Sequence, residues 1–111
     1  MAITTPHFYQ YETVDLLIRI KSEQASAALQ DYDEIIVSIA QNNTVVNVQD
    51  FSVNVQEATI TLHMTQKETG KFKKGKATLQ VNIYRNKRRK ATGYGTLTVL
   101  DNLYKKVMGN D

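Results

Sequence analysis

A chain of 111 residues, 41% of them hydrophobic and 23% charged, is one domain with a single modest core; it has no cysteine, which excludes disulfides, thiolate zinc sites and cysteine nucleophiles. Its net charge of +3 hides two opposed halves: residues 1–60 carry two basic against eight acidic side chains, or −6, and residues 61–111 carry twelve against three, or +9. Such asymmetry asks for a charged partner or for self-association.

The opening stretch, MAITTPHFYQ, lacks a basic n-region and an apolar h-region, so residues 1–10 read as an N-terminal arm and no secretory signal is expected. No stretch is long and apolar enough to span a bilayer, and no membrane partner is expected. From there the chain alternates apolar and polar residues, the pattern of strands with one face on a core and one in water. Leu16, Ile18 and Ile20 mark the first such strand. The segment from Ser22 to Gln30, SEQASAALQ, leans helical but is long enough only for a turn or two. Ile35, Val37 and Ile39 form the next strand, and Asn42 with Asn43 make the turn into a weaker one at 44–48, because asparagine tolerates the positive φ that tight hairpins demand. Asn42 and Thr44 also form a glycosylation sequon, which reads as a turn. A further weak strand is expected at 51–55, then a clear one through Ile60, Leu62 and Met64. Thr59, Thr61, Thr78, Thr96 and Thr98 supply β-branched residues for the wet faces.

TQKETGKF, residues 65–72, then breaks the alternation. Thr65 and Glu68 have the spacing of a capping box, Gly70 offers a left-handed exit, and Phe72 an apolar anchor, which predicts one helical turn near 65–70 crossing between sheets. Ala77, Leu79, Val81 and Ile83 define a long strand, Asn86 and Lys87 a second tight turn, and Leu97 with Val99 the final strand. Residues 101–111 read as a tail or short helix, with Leu103 and Val107 one helical turn apart. About seven short strands and no long helix predict an all-β fold, an antiparallel immunoglobulin-like β-sandwich in a single domain, with a small barrel as the alternative.

Little of this carries chemistry. His7 and His63 stand in no ligand motif, Asp31, Asp33 and Glu34 read as an acidic turn, and Gly93 with Gly95 lack a phosphate-loop framework and suggest a strand bulge or twist. No catalytic, cofactor or metal site is assigned and no enzyme activity is expected. The candidate interaction surface is the basic hairpin: Arg85, Lys87, Arg88, Arg89 and Lys90, with Tyr84 and Tyr94 on its flanks. It suits a protein contact or, through phosphate contacts and stacking, single-stranded nucleic acid, and it reads equally as a solvated hairpin tip made soluble by charge and guarded against edge pairing. The second basic cluster, Lys67 to Lys76, lies at the other end of the intervening strand, which disfavours one nucleic-acid patch. Opposed acidic and basic turns also allow copies to pack head to tail in a ring.

Several phrases together resemble a known family. Thr5 and Pro6 before the first strand, Ala40, Gln41 and Asn42 at a strand end, MTQKETGKF from Met64, GKATLQVNIY from Gly75 and the apolar segment from Leu100 to Val107 are similar to the small immunoglobulin-like proteins encoded among tail and baseplate genes of phages and prophages of Gram-positive bacteria. The likeness spans most of the chain and departs from the family at RNKRRK. It implies a virion structural or accessory protein, present in the virion or in the host cytoplasm during assembly, with other phage structural proteins as partners and no cofactor.

Overall fold

Every one of the clear alternating runs becomes a strand in the computed structural model, which describes residues 7–21 and 23–107. Thr5 and Pro6 therefore lie outside the described residues. The described residues form eight strands: β1 His7–Tyr9, β2 Val14–Arg19, β3 Glu34–Gln41, β4 Thr44–Val48, β5 Phe51–Asn54, β6 Thr59–Met64, β7 Gly75–Arg85 and β8 Arg88–Leu100. They form a five-stranded sheet in the order β1-β8-β7-β3-β4 and a three-stranded sheet in the order β2-β6-β5. The fold is all-β with two sheets. The strand beyond the expected seven is β1, inside the stretch read as an arm. Its pairing with β8 is parallel, His7 opposite Thr98 and Tyr9 opposite Leu100, so the sheets are antiparallel at every other junction only.

The inward residues of both sheets make one core. Ile35, Val37, Ile39, Leu79, Val81, Ile83, Leu97 and Val99 of the larger sheet are buried together with Leu16, Ile18, Ile60, Leu62 and Met64 of the smaller. Burying each of the larger side chains contributes about 1.5–3 kcal/mol, the main term holding the sheets face to face. Thr59 departs from the expected pattern. It occupies an outward position opposite Arg19 yet is buried.

Two short helices close the ends. α1, Glu23–Ala28, runs into a 3-10 turn, Leu29–Asp31, and inserts Ala25 and Leu29 into the core. α2, Gln66–Thr69, carries the chain from β6 to β7, hence from one sheet to the other. Its capping box is formed: the Glu68 amide donates to Thr65 Oγ1 at 3.2 Å, and the Thr65 amide to Glu68 Oε1 at 2.9 Å. Phe72 is buried against Phe8, ring centroids 5.9 Å apart. Gly70 does not serve as expected. It sits in the right-handed region at φ −71°, and a Cβ there would come within 2.5 Å of the Tyr11 ring. Glycine is needed for that close approach, not for a left-handed exit.

Thr69 fixes α2 to the start of the fold. Fully buried, its hydroxyl donates to the Glu12 carbonyl and accepts from the Glu12 amide, each at 2.9 Å. Gln10 does the same for the end of the chain: its side chain donates to the Phe72 carbonyl at 2.7 Å and accepts from Lys105 Nζ at 3.2 Å, while Asn102 Nδ2 donates to its carbonyl at 3.0 Å. Residues 101–107 form no helix. They follow this path instead, and Leu103 and Tyr104 are left exposed.

Candidate functional site

The basic hairpin is built by its turn. Asn86 and Lys87 have φ of 52° and 62°, which gives the two-residue connection between Arg85 and its partner Arg88 the left-handed backbone that matches strand twist. A lysine in that conformation is strained by about 1–2 kcal/mol, and glycine relieves it at an entropic cost of about 0.5–1 kcal/mol. Lys87→Gly is therefore expected to stabilise the domain by about 0.5–1 kcal/mol in urea unfolding.

The five cations of the hairpin are not equivalent. Arg85 Nη1 donates to the Asp31 carbonyl at 2.6 Å and pairs with its carboxylate at 3.2 Å, while the Asn86 amide donates to Asp33 Oδ2 at 2.5 Å. The acidic turn and the basic hairpin thus meet within one chain. Arg89 lies over the Tyr84 ring, 5.7 Å from its centroid, and donates to the Tyr84 hydroxyl at 3.1 Å. Lys87, Arg88 and Lys90 remain, all exposed and, among the described residues, with no acidic side chain in ion-pair contact. Beside them an open groove of about 390 Å³ lies between α1 and the hairpin, with Ala27 and Ala28 on one wall and Arg85 and Lys90 on the other.

Tyr94 is not part of the tip. It lies opposite Gln80, four residues along β7 from Tyr84, or roughly 13 Å. Both tyrosines do lie on the outer face of the five-stranded sheet, where Thr92 donates to Asn82 at 2.7 Å and Asn82 to Gln80 at 3.3 Å. Tyr94 is 75% exposed and Val45, across the same face, 63%. Gly93 and Gly95 pair regularly with Val81 and Leu79, and the β7–β8 irregularity falls between Ile83 and Tyr84, where Lys90 is the extra residue. The second lysine cluster follows α2, at the far end of β7, roughly 33 Å from the hairpin at about 3.3 Å per residue. The side chain of Gln41 there bonds both the amide and the carbonyl of Lys73, each at 2.7 Å.

The outer face of the smaller sheet holds a group that no sequence motif announces. His63 on β6 lies directly opposite Asp15 on β2, and Ser52 on β5 is one step diagonal to it. His63 Nδ1 is 2.7 Å from Asp15 Oδ1, and His63 Nε2 is 3.0 Å from Ser52 Oγ. The hydrogen bond to Asp15 raises the His63 pKa above the usual 6.5, with the charges of Asp15 and Asp50 helping and desolvation opposing. This interaction favours the folded state most below pH 6.5, and the gain disappears as pH rises through the raised value. NMR titration of His63 is expected to show a midpoint above 6.5 that falls in Asp15→Asn; a wild-type midpoint at 6.5 contradicts the geometry.

No protein-family model matches the chain, and no curated protein does. Among solved structures it is similar to a Listeria monocytogenes internalin-like protein, lmo2027, at 17% identity and a TM-score of 0.49, over 84% of this chain and 26% of that one. It is similar also to Listeria monocytogenes InlP, at 16% identity and 0.49, over 86% of this chain and 25% of that one. The chain spans about a quarter of the length of these proteins.

Proposed function

We propose that this chain is a protein-binding module of immunoglobulin-like architecture, serving as a structural or accessory component of a phage or prophage tail or baseplate, a role that itself requires no catalysis. The strand order supports the architecture. A sandwich whose second, third, fifth, sixth, seventh and eighth strands divide as β2-β6-β5 against β8-β7-β3, with β4 extending the second sheet, has the partition of an immunoglobulin variable-type domain without its outermost strand. The sequence phrases shared with small tail-region proteins support the setting.

The observation that carries the binding role is the split among the hairpin cations. Arg85 and Arg89 are engaged within the chain and stiffen the hairpin, whereas Lys87, Arg88 and Lys90 project from the tip with no acid among the described residues paired to them. A rigid cationic tip beside a shallow groove suits an acidic surface on a neighbouring virion protein, and charge of this kind governs encounter rate and register. Nucleic acid is the weaker reading, since the positive charge is divided between two tips at opposite ends of β7 and forms no single compact patch.

The test is mass spectrometry of purified particles from a lysogen that carries the gene, with wild type compared with Lys87→Glu, Arg88→Glu, Lys90→Glu. The chain is expected in wild-type particles and depleted from the variant's, with the variant folded. Its absence from wild-type particles would overturn the virion setting. Undiminished incorporation of the variant would overturn the role of the tip, and salt-resistant DNA binding lost in the same variant would shift the assignment to nucleic acid.

A further inference from the structure

We propose that Ser52 is a reactive nucleophile, activated by His63 and held in register by Asp15, that accepts acyl groups from small activated esters. This goes beyond the binding role and uses a different face of the molecule. The geometry is that of a nucleophile, a base and an orienting carboxylate. Ser52 Oγ lies 3.0 Å from His63 Nε2, and the other ring nitrogen, Nδ1, lies 2.7 Å from Asp15 Oδ1. With its Nδ1 proton donated to Asp15, the neutral ring leaves Nε2 free to accept the serine proton, the arrangement by which a weak hydroxyl becomes a nucleophile. The contacts join residues 48 and 11 positions apart and are fixed by sheet register, not by a flexible loop.

Ser52 is also accessible, being exposed on β5 at the free edge of the smaller sheet. The His63 amide donates to the Asp50 carbonyl, which sets the ladder so that Ser52 faces Thr61 in a hydrogen-bonded pair. The amide of the next residue, Val53, consequently points away from β6 to the open edge, as a donor available to a developing oxyanion. Ser38 provides an internal contrast. Its hydroxyl bonds Asn47 Oδ1 at 2.6 Å, with no imidazole to take its proton.

In the reaction, Ser52 Oγ attacks the ester carbonyl as its proton passes to His63 Nε2, and the tetrahedral adduct collapses to acyl-Ser52 as that proton moves from Nε2 to the leaving oxygen, which departs as the alcohol or phenol and returns His63 to its neutral form. Water then attacks the acyl group with His63 again as base, releasing the carboxylic acid and restoring the serine. Asp15 is a positioning residue, because it touches only the imidazole.

The purified chain would be treated with p-nitrophenyl acetate and, separately, with a fluorophosphonate probe, and the adducts mapped by peptide mass spectrometry. Labelling is expected at Ser52 and not at Ser38, absent in Ser52→Ala, unchanged in Ser38→Ala, and slowed about 100-fold or more in His63→Gln. Asp15→Asn is expected to slow it less and to move the pH at which the rate rises toward that of ordinary histidine, a shift that a merely structural role would not produce. All four positions are on the surface, and circular dichroism checks each variant's fold. Labelling that is scattered over lysines and serines, or that proceeds at the same rate in His63→Gln, would overturn the proposal and leave the cluster as a polar tie across three strands.

Discussion

Phe72→Ala is expected to destabilise the domain by about 3–5 kcal/mol, a large part of the roughly 5–15 kcal/mol that holds a domain of this size together. Phe72 is 1% exposed, its ring packs on Phe8 of β1, and its carbonyl takes the hydrogen bond from Gln10. Removing the ring therefore empties the place where α2, β1 and the chain after β8 converge. Urea unfolding of the variant should show a lower midpoint with an unchanged slope. Phe8→Ala should have a similar effect, and the double variant should cost less than the sum, because the two rings share one contact. A loss below about 1 kcal/mol for Phe72→Ala would mean that the site collapses without penalty, contrary to the close packing seen.

The second large effect is expected at Gly70. A methyl group there meets Tyr11 Cε1 at 2.5 Å and Cδ1 at 2.6 Å, and the Gln66 carbonyl at 3.0 Å. The Tyr11 ring must swing away, and its backbone, at φ 58°, has little room to follow. Gly70→Ala should cost about 1–3 kcal/mol, the range for overpacking a filled site. In a Tyr11→Ala background most of that cost should vanish, and the difference between the two backgrounds measures the clash directly. Equal costs with and without the Tyr11 ring would place the strain in α2 itself.

These two positions show what the sequence could and could not convey. Alternation exposed the strands because every second residue must be apolar to reach the core, and Ile35, Val37, Ile39, Leu79, Val81 and Ile83 obey this without exception. The capping box at Thr65 and Glu68 was legible because its partners are three residues apart. By contrast β1 contributes a single buried residue, Phe8, between exposed His7 and Tyr9, too short a run to show a period. Gly70 was misread because its reason is Tyr11, brought near only by the folded chain. The same holds for the hairpin, where Asp31 and Asp33 answer Arg85 and Asn86 across more than fifty residues. Asp15, His63 and Ser52 carry no motif at all, since three single residues on three strands meet only once the register is fixed.

The parallel pairing of β1 with β8 has a mechanical consequence. A pull that draws the chain before His7 and the chain after Leu100 in opposite directions would act along the two strands, not across them, because both run the same way and are loaded from opposite ends. The interstrand bonds then resist in shear and share the load, instead of opening one after another as in a zipper. Phe8, buried beneath them, adds friction to any sliding. A domain joined to neighbours through these two strands would behave as a stiff link, yielding abruptly at a threshold force and not stretching gradually below it.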